Sequence, residues 1–399
     1  MRKSNKLIVV LWPGYFREFE FYKYEFNFLN KFFEIEVHNL FTMHKKDYSK
    51  LFLNKFKKKN FNILSFKNYT DWKIRIDNLN ESNKVFIISF LSFDLLTALK
   101  YFNYLNSKNF KVLEFLNFGF PEFNISKHKK NIFFFLDKVK SIFLRPMWTL
   151  LSLKKIISIR IFKLIFFSKV KKKNFYILCV NKNNISKAFT KNFSVINGNS
   201  WDYSNTLIKD NNKEKISKKY GIFLANPGPA EVNDSSIVKQ KYFTNKKNYF
   251  NSLNKFLKQI ENKYKIPVYI ALHPKVKNKD QRKIYKRKTY YGMTKNLVKN
   301  SEFVISTTTT SISYPLIYDK PLTIIYSEDY DNDPRLKKMT FFLCNLLGIK
   351  KFNIDSFDLP NKKEFLQKIK KSIIMKFKKN YLSSQRKKIQ NFEIIKNII

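Results

Sequence analysis

Short apolar runs punctuate the chain, and longer stretches with helical spacing fill the intervals between them. Residues 6–12 (KLIVVLW) form the first run, stopped by Pro13-Gly14. Such a β-branched run predicts a strand buried on both faces. Residues 16–33 carry apolar side chains on nearly every face and have the length of a helix. Residues 34–40 (EIEVHNL) alternate like a strand, and 61–66, 84–93 and 111–118 read as further strands. Asp94 stands where it can cap a helix through Leu95, Leu96, Leu99, Phe102 and Leu105. This rhythm predicts a parallel sheet with helices on its faces.

Residues 175–180 and 192–196 (NFSVI) continue the strand pattern and lead into NGNSWDYSNTL. Residues 209–220 are polar and charged, and read as a linker. They divide the chain into an N-terminal domain, 1–208, and a C-terminal domain, 209–399. In the second, 221–225, 266–272 (IPVYIAL), 302–306 (EFVIS) and 321–326 (PLTIIY) are strand-like. Tyr249, Phe250, Leu253, Phe256, Leu257 and Ile260 fall on one helical face. A short helix is expected to end at 296–300 with Thr294 as its cap, and another to run to Tyr318. The tail predicts two helices, one through Phe365, Leu366, Ile369, Ile373 and Ile374, the other over 382–399.

Residues 131–173 break the pattern by mixing large apolar and basic residues. Lys154, Lys155, Arg160, Lys163 and Lys169 scatter around a helix, and Pro146 interrupts it. Two readings stay open. The segment is either core-packing helices with snorkelling lysines or a basic interfacial helix on an anionic bilayer.

Composition changes the picture through charge. The 399 residues hold 78 Lys+Arg against 30 Asp+Glu, a net charge of +48. That balance points to an anionic partner. Nine of the basic residues are Arg, however, and Lys, Asn, Ile and Phe abound as in AT-rich coding. Nucleic-acid readers favour Arg, so nucleic acid ranks below a membrane surface or a phosphosugar. With 44% hydrophobic residues, the chain has ample material for cores. Cys179 and Cys344 sit in apolar contexts, which suits buried thiols in a reducing compartment. The first apolar run is too short for a secretory signal, and no uninterrupted run has the length of a membrane span. A cytoplasmic protein, peripheral on the inner face of a bacterial membrane, is the expectation.

The usual chemical signatures are missing. There is no GxGxxG, no GxxxxGK[ST] and no GxSxG, and seven glycines leave few phosphate cradles. His38, His44, His128 and His273 lack zinc-site spacing, and no Asp-x-Asp metal motif occurs. Two features remain. His273-Pro274-Lys275 follows the strand 266–272, and Ser306-Thr307-Thr308-Thr309-Thr310-Ser311 follows the strand 302–306. In a parallel sheet both lie on the ligand-binding edge. Hydroxyls at a helix start suit a phosphate, and a histidine beside them can donate to it.

On these residues the block from Tyr249 to Ser327 resembles the donor-binding domain of GT-B glycosyltransferases that build bacterial surface polysaccharides. The pieces are YFNSLNKFLKQIE, VYIALHPK and YYGMTKNLVKNSEFVISTTTTSISYPLIYDKPLTIIYS. The His-Pro and Ser/Thr motifs are similar to the motif pair of bacterial sialyltransferases and polysialyltransferases. VINGNSWDYSNTL resembles a stretch that precedes the donor domain in surface-carbohydrate proteins. The resemblance implies an α/β, GT-B-like fold, with two Rossmann-like domains facing a cleft and C-terminal helices. It implies a CMP-linked donor, sialic-acid-like or Kdo-like, and a glycan or lipid-linked acceptor. It further implies phosphate contacts from His273 and from Ser306, Thr307 and Thr308, with no metal or other cofactor. The family's acidic pair followed by Gly is missing here. Glu231 and Asp234, after the strand 221–225, are the candidate bases, and Glu114 and Glu122 flank a strand end in the first domain. The alternatives are a CDP-polyol phosphotransferase, a UDP-sugar epimerase, or a non-catalytic basic binder of membrane or nucleic acid. SISYPLIYDK lacks the Glu-Glu pair that would favour the epimerase.

Overall fold

The computed structural model describes residues 6–14, 16–40, 56, 58–80, 84–91, 96–116, 157, 160–161, 163–208, 219–225, 246–273, 283–332, 334–356 and 361–399. They fall into two compact units. One holds the first sheet together with Ser384–Ile399, and the other runs over Asp202–Ser383. The chain therefore changes unit at Trp201/Asp202 and returns at Ser384, which differs from a single division at 208/209.

The first sheet has seven strands: β1 (Leu7–Trp12), β2 (Glu34–Asn39), β3 (Phe61–Ser65), β4 (Val85–Ser89), β5 (Lys111–Leu116), β6 (Phe175–Cys179) and β7 (Ser194–Asn197). Their order is β3-β2-β1-β4-β5-β6-β7, and every pairing is parallel. The unbroken apolar run of β1 has a simple cause. Val9 and Leu11 pack into one core layer, Ile8 and Val10 into the opposite one, and all four have zero exposure. Each such side chain is worth about 1.5–3 kcal/mol on burial.

The second sheet repeats the plan with β8 (Gly221–Leu224), β9 (Val268–Leu272), β10 (Thr289–Tyr291), β11 (Phe303–Ser306), β12 (Leu322–Tyr326) and β13 (Lys351–Asn353). Its order is β10-β9-β8-β11-β12-β13, again parallel throughout. The fold is thus α/β, with two doubly wound, Rossmann-like sheets. The six apolar residues picked out between 249 and 260 all lie buried on the helix Lys246–Tyr264. Gly221 opens β8 because its neighbour Phe303 fills the space; a Cβ at 221 would collide with that ring.

Some expected elements differ. The helix expected over 16–33 is two short helices, Glu18–Lys23 and Phe26–Leu29, separated by Glu25 at φ 59°. Thr294 is the first residue of the helix Thr294–Asn300, and Met293 occupies the cap. The helix expected over 382–399 begins only at Asn391. The residues before it are held elsewhere: Ser384 Oγ donates to the Val180 carbonyl and Gln385 Nε2 to the Asn197 carbonyl. Asn391 Nδ2 then donates to Asn199 O at 2.9 Å, and Asn199 N–H donates back to Asn391 Oδ1 at 2.9 Å.

Cys179 and Cys344 are buried, free thiols, as expected. Burial pushes them up to about 12 and about 11 respectively. No helix among the described residues is long and apolar enough to cross a membrane. Of the 131–173 segment, 131–156, 158–159 and 162 lie outside the described residues, as does Asp94, the proposed cap.

Candidate functional site

The strand order of the second sheet reverses at β8, between β9 and β11. The chain runs from β8 through β9 to β10 on one side and from β11 through β12 to β13 on the other, and the carboxyl edge at such a reversal is where α/β sheets bind ligands. Leu224 at the end of β8 is in register with Ser306 of β11 on one side and Ala271 of β9 on the other. His273 follows Leu272, the last residue of β9, and Thr307 follows Ser306, the last of β11. The two therefore flank the end of β8, separated by two strand spacings, roughly 10 Å. His273 is half-buried. Pro274, Lys275, Glu231 and Asp234 lie outside the described residues, as does Glu122.

The hydroxyl run is not uniform. Ser306, Thr307 and Thr308 are buried, while Thr310 is exposed. Ser306 Oγ donates to the Thr307 carbonyl at 2.7 Å. Thr340 Oγ1 donates to Leu336 O at 2.8 Å and also meets Thr308 Oγ1 at 2.7 Å. A hydroxyl has one proton, so Thr308 is the donor of that second bond. Tyr330 lies buried beside this pair, and burial pushes its phenol up to about 12 against the opposing effect of Thr308. Thr307 Oγ1 is different: it is buried and has no hydrogen-bond partner among the described residues. A buried hydroxyl without a partner costs free energy, about 1–3 kcal/mol.

Thr309 Oγ1 accepts from Ser311 N–H at 3.4 Å and starts the turn Thr310–Ile312, which continues as the helix Ser313–Ile317. Five helical residues supply only a small dipole. Ser313 Oγ lies 2.5 Å from Asp202 Oδ2 and 3.0 Å from the Thr310 carbonyl. Asp202 belongs to the helix Trp201–Thr206, inside the NSWDYSNT stretch. Sequence reasoning marked that stretch but did not connect Asp202 with the hydroxyl run. Thr340 and Tyr330 gave no sequence signal, because each joins the site through the tertiary fold alone.

In the first unit, Glu114 on β5 is the notable acid. It pairs in register with Ser89 of β4 and Ile177 of β6 and is 3% exposed. Burial raises its carboxyl well above the usual range, against the opposing hydrogen bond from Ser89. Its Oε2 has no hydrogen-bond partner among the described residues. No group of three or more His, Cys, Asp or Glu that could hold a metal ion occurs among the described residues.

No family model and no curated protein sequence matches the chain. Among solved structures it is similar to MurG from Acinetobacter baumannii, at 9% identity over 88% of this chain and 87% of that one, with a TM-score of 0.41. It is similar to the wall teichoic acid polymerase TagF at 13% identity over 98% and 87% of the two chains, with a TM-score of 0.49. It is also similar to UDP-GlcNAc 2-epimerase from Methanocaldococcus jannaschii, at 13% identity over 98% and 99%, with a TM-score of 0.42. None of the three reaches a TM-score of 0.5.

Proposed function

We propose that the chain is a glycosyltransferase that uses a nucleotide-sugar donor, with the donor phosphate held at the carboxyl edge of the second sheet. The observation that carries this reading is the placement of His273 and Thr307 directly after β9 and β11, the two strands beside β8, with Thr307 Oγ1 buried and unpartnered among the described residues. A phosphate oxygen would supply the missing acceptor. His273 would donate a ring N–H to the phosphate as the glycosidic bond breaks and the phosphate oxygen leaves with its electron pair. Thr309, Thr310, Ser311 and Lys275 would complete the anion-binding pocket. Ser306 and Thr308 would shape it, since their protons are spent on Thr307 O and Thr340.

The acceptor hydroxyl attacks the anomeric carbon and must lose its proton. Glu231 or Asp234 would take that proton. The sequence motifs favour a CMP-linked, sialic-acid-like or Kdo-like donor, and a metal-independent reaction. The acceptor would be a surface glycan, and an acceptor carried on lipid would place the enzyme against the inner membrane face.

The test has two parts. Thermal shift with CMP, CDP and UDP reads the nucleotide. Donor hydrolysis by wild type and His273→Ala reads the chemistry. Stabilisation by one nucleotide, lost in His273→Ala together with turnover, supports the proposal. An inactive wild type that instead binds nucleic acid tightly with a steep salt slope would sink it.

A further inference from the structure

Residues 157, 160, 161 and 163–169 are helical, and one side of this helix is anchored in the first unit. Phe166 has zero exposure and meets Phe102, Phe175 and Phe193 at ring-centroid distances of 5.9, 5.4 and 6.2 Å. Phe167 and Val170 pack against the same core. The opposite side is apolar and open. Ile157 is 53% exposed, Ile161 50%, Leu164 70% and Ile165 41%. These are four of the nine large hydrophobic residues exposed among the described residues, so exposure concentrates on this one helix. At helical pitch the four share a sector of about 100°, facing away from Phe166. Arg160 and Lys169, both exposed, border that sector on its two sides. Arg160 and Lys169 thus rim an apolar face. Lys171, Lys172 and Lys173, also exposed, follow at the end of the helix.

We propose that Ile157, Ile161, Leu164 and Ile165, rimmed by Arg160 and Lys169, are a docking face for an anionic phospholipid bilayer. Aliphatic side chains enter the acyl boundary while the flanking cations meet lipid phosphates. Charge selects this occupant over a second copy of the chain. Two molecules of net charge +48 repel, whereas an anionic leaflet attracts. The proposal gives a surface to the membrane named in the reading above, and it is tested without turnover.

Purified full-length chain is sedimented with vesicles of phosphatidylcholine alone and of phosphatidylcholine mixed with phosphatidylglycerol. The wild type is expected to bind the mixed vesicles at least about tenfold better than the neutral ones. The double substitution Ile161→Asn, Leu164→Asn is expected to lower binding to the mixed vesicles by about tenfold or more. Arg160→Gln with Lys169→Gln leaves the aliphatic face intact and is expected to lower binding and flatten its salt dependence. Phe341→Asn, at a position 63% exposed in the second unit, is expected to bind as wild type does. Wild-type protein that sediments with neither vesicle overturns the proposal. So does a double variant that binds like wild type, or a wild-type dimer that the double variant dissolves. Vesicle binding by a chain without glycosyl transfer would remove the enzyme reading and keep this one; turnover without vesicle binding would do the reverse.

Discussion

The indole N–H of Trp72 donates to Nδ1 of His38 at 3.1 Å, and this fixes the protonation state of a fully buried imidazole. An indole can only donate, so Nδ1 is the acceptor and Nε2 carries the proton. Nε2 then donates to Glu36 Oε1 at 2.6 Å. Arg75 closes the chain with Nε at 3.0 Å from Oε1 and Nη2 at 2.5 Å from Oε2 of Glu36. Burial lowers His38, only partly opposed by Glu36. Burial works against an ionised Glu36 too, but the hydrogen bonds from His38 and Arg75 win and hold it at about 2.

Both shifts have the same sign for stability. A depressed folded value means that the unfolded chain binds protons first as pH falls. The stability from neutral His38 is complete above its ordinary value of 6.5 and is lost as pH drops from there toward its folded value. The stability from Glu36 is lost lower, between 4.5 and about 2. The midpoint of thermal unfolding should therefore fall on acidification below pH 6.5, and His38→Gln should flatten the first part of that fall. A variant with the wild-type slope between pH 6.5 and 5 would assign the slope to other groups.

Glu114 has the opposite sign. Its raised folded value means that stability is complete below 4.5 and is lost as pH rises toward the folded value. Glu114→Gln keeps the shape and removes the ionisation. Chemical denaturation should show the variant gaining on wild type as pH is raised from 4.5 to 8. Parallel pH profiles for the two proteins would contradict this.

Thr307 and Thr308 should separate binding from folding. Thr307→Val removes a hydroxyl that has no partner among the described residues, so stability should stay within about 0.5 kcal/mol of wild type or rise. Thr308→Val breaks the bond to Thr340 and should cost about 1 kcal/mol. Nucleotide-induced thermal shift should be lost in Thr307→Val despite its sound fold. A full nucleotide shift in that variant would remove Thr307 from the phosphate site.

Asn391→Ala should be among the most damaging single changes in the C-terminal segment. It removes the two hydrogen bonds that the Asn391 side chain makes with the N–H and the carbonyl of buried Asn199, at about 2–5 kcal/mol in all. Equilibrium denaturation reads the loss, and a change below about 0.5 kcal/mol would show that water replaces the amide.

Much of the secondary structure was legible because central strands of parallel sheets are buried on both faces and read as unbroken apolar runs. The runs at 6–12, 266–272 and 302–306 became β1, β9 and β11. The edge strands β10 and β13 are only three residues long and half polar, so no run announced them. Where a distant contact overrode the local pattern, periodicity misled. Glu25 breaks the expected helix over 16–33, and its carboxylate accepts from the N–H of Phe392 at 2.8 Å, across nearly the whole chain. Residues 384 and 385 stay outside the expected C-terminal helix because their side chains meet carbonyls at Val180 and Asn197.

By itself, the sequence determined the buried central strands, that the sheets are parallel, and that His273 and the 306–311 hydroxyls follow two of those strands. Those properties follow from local burial patterns and from chain direction. Strand order was decided only by the tertiary structure. It sets β9 and β11 on either side of β8 and so places His273 and Thr307 at the same edge of the sheet. The partners of the hydroxyls were decided there too. Thr340 takes the Thr308 proton and Asp202 lies against Ser313, while Thr307 is left with none among the described residues. Hydrogen-bond partners far apart in the chain carry no local period, so only the packed fold assigns them.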